Sequence, residues 1–231
     1  MSAGEPLIVA MDGPSGTGKS SVSRMLAQRL GARYLDTGAM YRVATLQVLR
    51  SGADLENAAT IAAAVVDLPL EIGTDPAAER IRLGDEDVAE EIRGATVTRA
   101  VSAVSAVPAV RELLVRIQRE LTAGAGRIVV EGRDIGTVVL PDAPLKVFLS
   151  ASADERARRR AAQTNREGEF DRIREAMRVR DKRDAEREAS PLKSAPGAVV
   201  IDTTGLSLEE VVLRVVELAR RAAMSPDRKG G

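Results

Sequence analysis

The chain has no cysteine, no histidine and no tryptophan among its 231 residues, and only two tyrosines and two phenylalanines. Without cysteine there can be no disulfide, thiolate nucleophile or cysteine-ligated zinc or iron–sulfur site. Without histidine there is no imidazole acid–base catalyst and no histidine metal site. No apolar run approaches the roughly 18 residues a membrane-spanning helix needs. The N-terminus lacks the charged start and apolar core of a secretion signal, so a cytoplasmic location is expected. Lysine is scarce: the 34 basic residues are 29 Arg and 5 Lys, and they are balanced by 34 acidic residues. This neutral balance argues against a dedicated nucleic-acid surface, and neither a nucleic-acid nor a membrane partner is expected. Carboxylates, guanidinium groups, amines and hydroxyls remain. Phosphoryl transfer needs little more, because its catalysis is mostly positioning and charge stabilisation.

What is present is organised around residues 7–20. Leu7 to Met11 is an apolar run of buried-strand character, and it breaks into Gly13, Pro14, Ser15, Gly16, Thr17, Gly18, Lys19 and Ser20. Gly13, four intervening residues, Gly18, Lys19 and Ser20 match the phosphate-loop pattern in full. Glycines let the backbone turn tightly so that successive N–H groups converge on one anion, and the start of the next helix adds its free N–H groups. A nucleoside triphosphate is the implied ligand. Gly13, Ser15, Gly16, Thr17, Gly18, Lys19, Ser20 and Ser21 are expected to cradle its phosphates, with Lys19 on the β- and γ-phosphates. Ser20 is the expected Mg²⁺ ligand.

Along the chain, periodicity predicts helices over 18–30 and 39–50, then an irregular stretch at 53–105. That stretch reads as a short Ala-rich helix at 58–66 and strands at 68–72 and 78–83, with a tight turn at Gly84-Asp85. Its serine-bearing end, 96–107, leads through Pro108 into a helix at 109–122. Strands at 127–131, 145–149 and 198–201 alternate with helices at 153–163, 169–187 and 207–221, and the tail from Ser225 is expected to fray. Near-continuous apolar strands between helices predict an α/β fold with a parallel sheet covered on both faces. The stretch at 53–105 is then a small α+β insertion.

Three further constellations carry chemistry. Asp36-Thr37-Gly38-Ala39-Met40-Tyr41-Arg42 places a carboxylate after an apolar stretch and an arginine one helical turn on. It reads equally as a helix cap with a surface arginine or as a pocket for a phosphate or base edge. Glu131-Gly132-Arg133-Asp134 follows a buried strand, where open α/β sheets place ligands. Glu131 or Asp134 could serve the magnesium water shell, and Arg133 an acceptor phosphate. Most of the arginines from 156 to 187 read as a solvated, salt-bridged surface. Arg180, Asp184 and Arg187 instead recur on one face and suit a mobile arm closing over transferring phosphates, a picture that Arg156, Arg160 and Arg183 would join. Ser102 and Arg111 have no local signal beyond a cap and a surface charge.

The segments MDGPSGTGKS, YLDTGAMYR, VSAVPAVRELL, EGRDIGTVVLPDAPLKVFLSAS and VRDKRDAEREASPL, in this order, resemble bacterial cytidylate kinases over residues 6–220. The resemblance implies a P-loop NTPase core (1–52 and 106–231), an NMP-binding insertion (53–105), a short helical lid at about 156–170, and a monomer. It implies transfer of a phosphoryl group from ATP to CMP or dCMP with Mg²⁺. By position, Thr37 and Ser102 would contact the cytidine nucleotide and Arg42 its phosphate. Arg111 and Asp134 would read the cytosine, and Asp184 and Arg187 the sugar and its surroundings. Arg133 and Arg180 would hold the acceptor phosphate and the phosphoryl group in flight, so that Lys19, Arg133, Arg180 and Arg183 form the expected catalytic set. Thr37 stands where many relatives have Ser, and Glu131 where Asp is frequent. Other nucleoside monophosphate kinases with UMP or AMP as acceptor, shikimate kinase, and a nucleotide-dependent switch or ATPase are the alternatives.

Overall fold

The computed structural model describes residues 6–186 and 190–224. The apolar run at the N-terminus forms β1 (Leu7–Asp12), the middle strand of a five-stranded sheet. Around it stand β2 (Arg33–Asp36), β6 (Arg127–Glu131), β7 (Leu145–Ser150) and β8 (Val199–Asp202), in the order β2-β6-β1-β7-β8. Every pairing in this sheet is parallel. Parallel strands need crossover helices, and these cover both faces. Leu7, Val9 and Met11 pack with Val22, Leu26 and Leu30 of α1 (Lys19–Leu30) and Val211, Val212 and Val215 of α8 (Leu208–Met224). Ala10, Leu35 and Val130 pack on the other face with Met40 and Ala44 of α2 (Thr37–Arg50) and Val110 and Leu114 of α5 (Pro108–Ala123). Side chains alternate between two buried faces, which is why these strands read as unbroken apolar runs.

The expected insertion holds α3 (Ala58–Ala64) and a three-stranded sheet of β3 (Leu70–Ile72), β4 (Ile81–Leu83) and β5 (Glu86–Asp87). Leu83 pairs with Glu86 across the Gly84-Asp85 turn, as the sequence predicts. The strand expected over 78–83 begins only at Ile81, because Asp75 takes the Ala77 N–H and turns the chain there. The serine-bearing segment 96–107, to which the sequence assigns no element, is mostly helix, α4 (Ala95–Val104). Val97, Ala100, Val101 and Val104 are buried at helical spacing, and this apolar stripe outweighs the turn preference of the serines. Val97 packs with Ile81, Leu83 and Ile92 against Ala39, Val43 and Leu46 of α2, so α2 serves both the insertion and the main core.

α6 (Ala153–Gln163) and α7 (Phe170–Glu186) form a helical hairpin closed by Ala157, Ala161, Ile173 and Met177. Arg187 and the tail from Ser225 lie outside the described residues. Among the described residues no helix is long and apolar enough to cross a membrane.

Candidate active site

Because the strands are parallel, their carboxyl ends share one edge, and Asp12, Asp36 and Glu131 end three of them there. The Gly-rich loop leaves β1 at this edge and enters α1, whose N-cap Gly18 has no side-chain cap, so the helix's leading N–H groups are left for a ligand. Gly13 has φ +146, and a Cβ on it would collide with the Leu149 carbonyl oxygen. Gly16 has φ +81, and a Cβ there would lie 2.8 Å from Met177 Cε, so the loop passes directly beneath the α6–α7 hairpin. Only glycine fits either place.

Arginines of α6 hold this loop from the outside. Arg156 donates to the Ser15 carbonyl at 3.3 Å and pairs with Asp181 of α7. Arg159 donates to the Thr17 carbonyl at 3.4 Å and to the Thr203 hydroxyl at 3.0 Å, and that hydroxyl donates on to Thr17. Arg159, assigned to the solvated surface on sequence grounds, therefore bolts the phosphate loop to the segment after β8. Its role was hidden because its partners lie 142 and 44 residues away.

Lys19 is buried with Nζ 2.7 Å from the Pro14 carbonyl. Burial lowers its pKa, and the neighbouring Arg133 lowers it further. Burial and the adjacent Arg160 hold Arg42 down to about 10. Burial and Arg133 likewise hold Arg180 down to about 9, and its buried Nε has no hydrogen-bond partner among the described residues. Lys19, Arg42, Arg133, Arg160 and Arg180 thus feel one another's charge at one edge of the sheet. Crowded, desolvated cations of this kind suit a polyanion.

The two carboxylates after β6 separate cleanly. Glu131 is buried beside the loop, and Ser20 Oγ donates to its Oε1 at 2.7 Å. Its Oε2 is buried and, among the described residues, has no hydrogen bond, and burial raises the carboxyl pKa. A hydroxyl at the head of α1 beside an incompletely satisfied carboxylate is an oxygen donor set that fits Mg²⁺. Asp134 points away and is paired with Arg111. Arg111 also donates to the Ser105 carbonyl and the Ser190 hydroxyl, both at 3.1 Å, and lies over the Tyr41 ring at 5.1 Å. Arg133 pairs with Asp184 of α7 rather than within its own turn. Burial opposes the Arg133 charge, but Asp184, Asp181 and Glu131 together outweigh it and raise its pKa.

The remaining expected residues fall unevenly. Asp36 caps α2, accepting from Ala39 N–H at 3.0 Å, which is the cap reading of that motif. The Thr37 hydroxyl is buried and donates to the Glu131 carbonyl at 2.7 Å. Arg42 donates to the Ile92 carbonyl at 2.8 Å and the Thr98 hydroxyl at 3.0 Å, tying α2 to the insertion. Ser102 is half-buried on α4, one turn before Ser105. Ser21 and Arg183 are exposed. Asp12 was missed. It is a carboxylate closing an apolar strand just before the loop's first glycine, and that placement was its only signal.

A family model, Cytidylate kinase, matches residues 9–221. The chain is 63% identical to the cytidylate kinase of Rhodococcus opacus (strain B4), over 91% of this chain and 93% of that one. It is 62% identical to that of Nocardia farcinica (strain IFM 10152), over 92% and 93%. The chain belongs to the cytidylate kinase family. Among solved structures, the gluconokinase of Sinorhizobium meliloti 1021 is similar, with TM-score 0.51 and 18% identity over 94% of each chain. An uncharacterized protein from Eubacterium ventriosum ATCC 27560 has TM-score 0.53 and 14% identity over 94% of this chain and 99% of that one. These two share the fold.

Proposed function

We propose that the protein phosphorylates CMP and dCMP, taking the γ-phosphoryl group of ATP in the presence of Mg²⁺. The observation that carries this reading is the convergence of Lys19, Arg42, Arg133, Arg160 and Arg180 beside the glycine-rich loop. Lys19 leaves the Pro14 carbonyl for the donor phosphates, which the loop amides bind. Mg²⁺ near Ser20 and Glu131 would supply charge neutralisation on the donor's oxygens. Arg42 and Arg133 hold the acceptor phosphate in line. Arg180 meets the charge that spreads over the equatorial oxygens as the bond to the acceptor oxygen forms and the bond to the β-phosphate oxygen breaks. The acceptor oxygen is already anionic, so no strong general base is required, in keeping with a chain that lacks histidine.

Arg111 and Asp134 give the base pocket a donor fork beside an acceptor, a pattern that a wrong base would leave unpaired. Ser102, Asp184 and Arg187 complete the nucleoside contacts. The body is read as a core (1–52 and 106–231), an NMP-binding insertion (53–105) and a lid (about 156–170), working as a monomer. A separate apolar cluster between α6 and α7 supports a distinct lid region, whereas the insertion packs its apolar side onto α2 of the core.

The test is ADP release with ATP and Mg²⁺ across CMP, dCMP, UMP, AMP and GMP, with a blank lacking acceptor. Strong turnover with CMP and dCMP, weak turnover with UMP and a silent blank are expected. Preference for AMP would sink the base assignment, and hydrolysis in the blank alone would point to a nucleotide-dependent switch.

A further inference from the structure

Asp12 is the last residue of β1 and is 3% exposed. Burying a carboxylate at the end of an apolar strand is costly unless both of its oxygens find donors. Its Oδ1 accepts the Ile135 N–H and its Oδ2 the Gly136 N–H, each at 2.8 Å. These are the first two amides of a π-helical turn, Ile135–Val139. The leading N–H groups of such a turn have no partner within it. Asp134 precedes the turn but does not cap it, its carboxylate being engaged with Arg111. The fit is close: a Cβ on Gly136 would lie 3.0 Å from Ala195 Cβ and 3.4 Å from Asp12 Oδ2.

We infer that Asp12 is a positioning residue for phosphoryl transfer. One carboxylate locks the strand that launches the donor loop to the turn that follows Arg133 and Asp134, and so sets the distance between donor and acceptor. This rests on the reading of Arg133 and Asp134 as acceptor groups. Both oxygens of Asp12 are taken by main-chain amides, so it acts through the turn and not on the substrate. Gly13 follows it directly in the chain, whereas its partner Ile135 lies 123 residues further on. Transfer across a gap registered in this way is sensitive to shifts of an ångström or less.

Asp12→Asn keeps the shape and one acceptor but turns an NH₂ towards a main-chain N–H, whereas Asp12→Ala removes both acceptors. Steady-state kinetics well below the unfolding temperature should show KM for CMP rising about tenfold in Asp12→Asn and further in Asp12→Ala, with a fall in kcat. KM for ATP should stay within about twofold. Lower thermal stability with both KM values unchanged would reduce Asp12 to a structural cap and overturn the inference. An equal or larger rise in KM for ATP would overturn it too, by placing the effect in the phosphate loop. Residue-resolved amide exchange on the wild type gives an independent reading should neither variant fold. The Ile135 and Gly136 amides should be as slow without CMP as with it, and protection that appears only on CMP binding would refute a turn already held by Asp12. A wild type that does not turn over CMP would reject the functional reading, whereas all the outcomes above concern Asp12 in an enzyme that does.

Discussion

The α6–α7 hairpin and the turn after β6 both depend on arginine, yet they use it in opposite ways. On the outer surface of the hairpin, Arg158 pairs with Glu155, Arg166 and Arg172 with Glu169, and Arg178 with Glu175, all three residues apart in sequence. Around the turn, Arg111 pairs with Asp134, 23 residues on, and Arg133 with Asp184, 51 residues on. The outer arginines are 49–82% exposed, whereas Arg111 and Asp134 are each 5% exposed at the side chain. In water a guanidinium–carboxylate pair gains little, because solvent already satisfies both groups. Once buried, each partner becomes the other's main charge compensation, and removing one strands the other. Burial, more than the abundance of arginine, marks the chemistry.

The comparison breaks most visibly at Arg111. Arg111→Met should leave the Asp134 carboxylate buried and unpaired and cost about 3–5 kcal/mol, read as a fall in the denaturation midpoint. Adding Asp134→Leu should return most of that stability without returning CMP turnover. A double variant no more stable than the single one would show that the pair's worth lies elsewhere. Arg180 comes next, since it carries the cost of burial without a hydrogen bond at Nε among the described residues. Arg180→Ala should lower kcat by about 10²–10³-fold, with ATP binding little changed. A loss below about threefold would remove Arg180 from the transfer step.

A buried carboxylate should also reveal itself through pH. Burial raises the Asp12 pKa from 3.8 to about 6 and the nearby Asp134 adds to this, against the opposing pull of its two main-chain donors and Lys19. Because the folded value lies above the unfolded one, the folded protein binds the proton more tightly. The stability due to this group is therefore full below 3.8 and is lost as pH rises through about 6. The loss is about 3 kcal/mol at about 1.4 kcal/mol per pKa unit. Wild type measured against Asp12→Asn should accordingly be relatively more stable at pH 4 than at pH 7. A difference independent of pH would mean that Asp12 is not desolvated.

Much of this architecture was legible in the sequence because its signals are local. The phosphate loop, the Gly84-Asp85 turn and the alternation of apolar strands with amphipathic helices each lie within a few residues. The α4 helix is less legible, because Ser102 and Ser105 interrupt its stripe of Val97, Ala100, Val101 and Val104. The site was less legible for a different reason. What separates Arg159 on the loop from Arg158 in solvent, or Asp12 on the turn from any acid after a strand, is a partner more than 40 residues away. Residue type and spacing do not encode such partners; the crossover topology creates them.

The smallest expected effect is the one that tests the other side of the comparison. Arg178 is 67% exposed and donates through Nε and Nη2 to both oxygens of Glu175, at 2.8 and 2.7 Å. In geometry this bidentate pair is as good as any in the molecule. If geometry set the energy, Arg178→Ala would cost as much as breaking a buried pair. Solvent screening and the entropy of two long side chains instead keep the cost to a small fraction of a buried pair's, with kcat and both KM values unchanged. Raising the salt from 0.05 to about 0.5 M should erase even that difference, because screening shortens the reach of exposed charges first. A loss of several-fold in kcat would mean that the outer face of α7 meets the substrates when the hairpin closes, and the division between outer and inner arginines would then have to be drawn in the closed state.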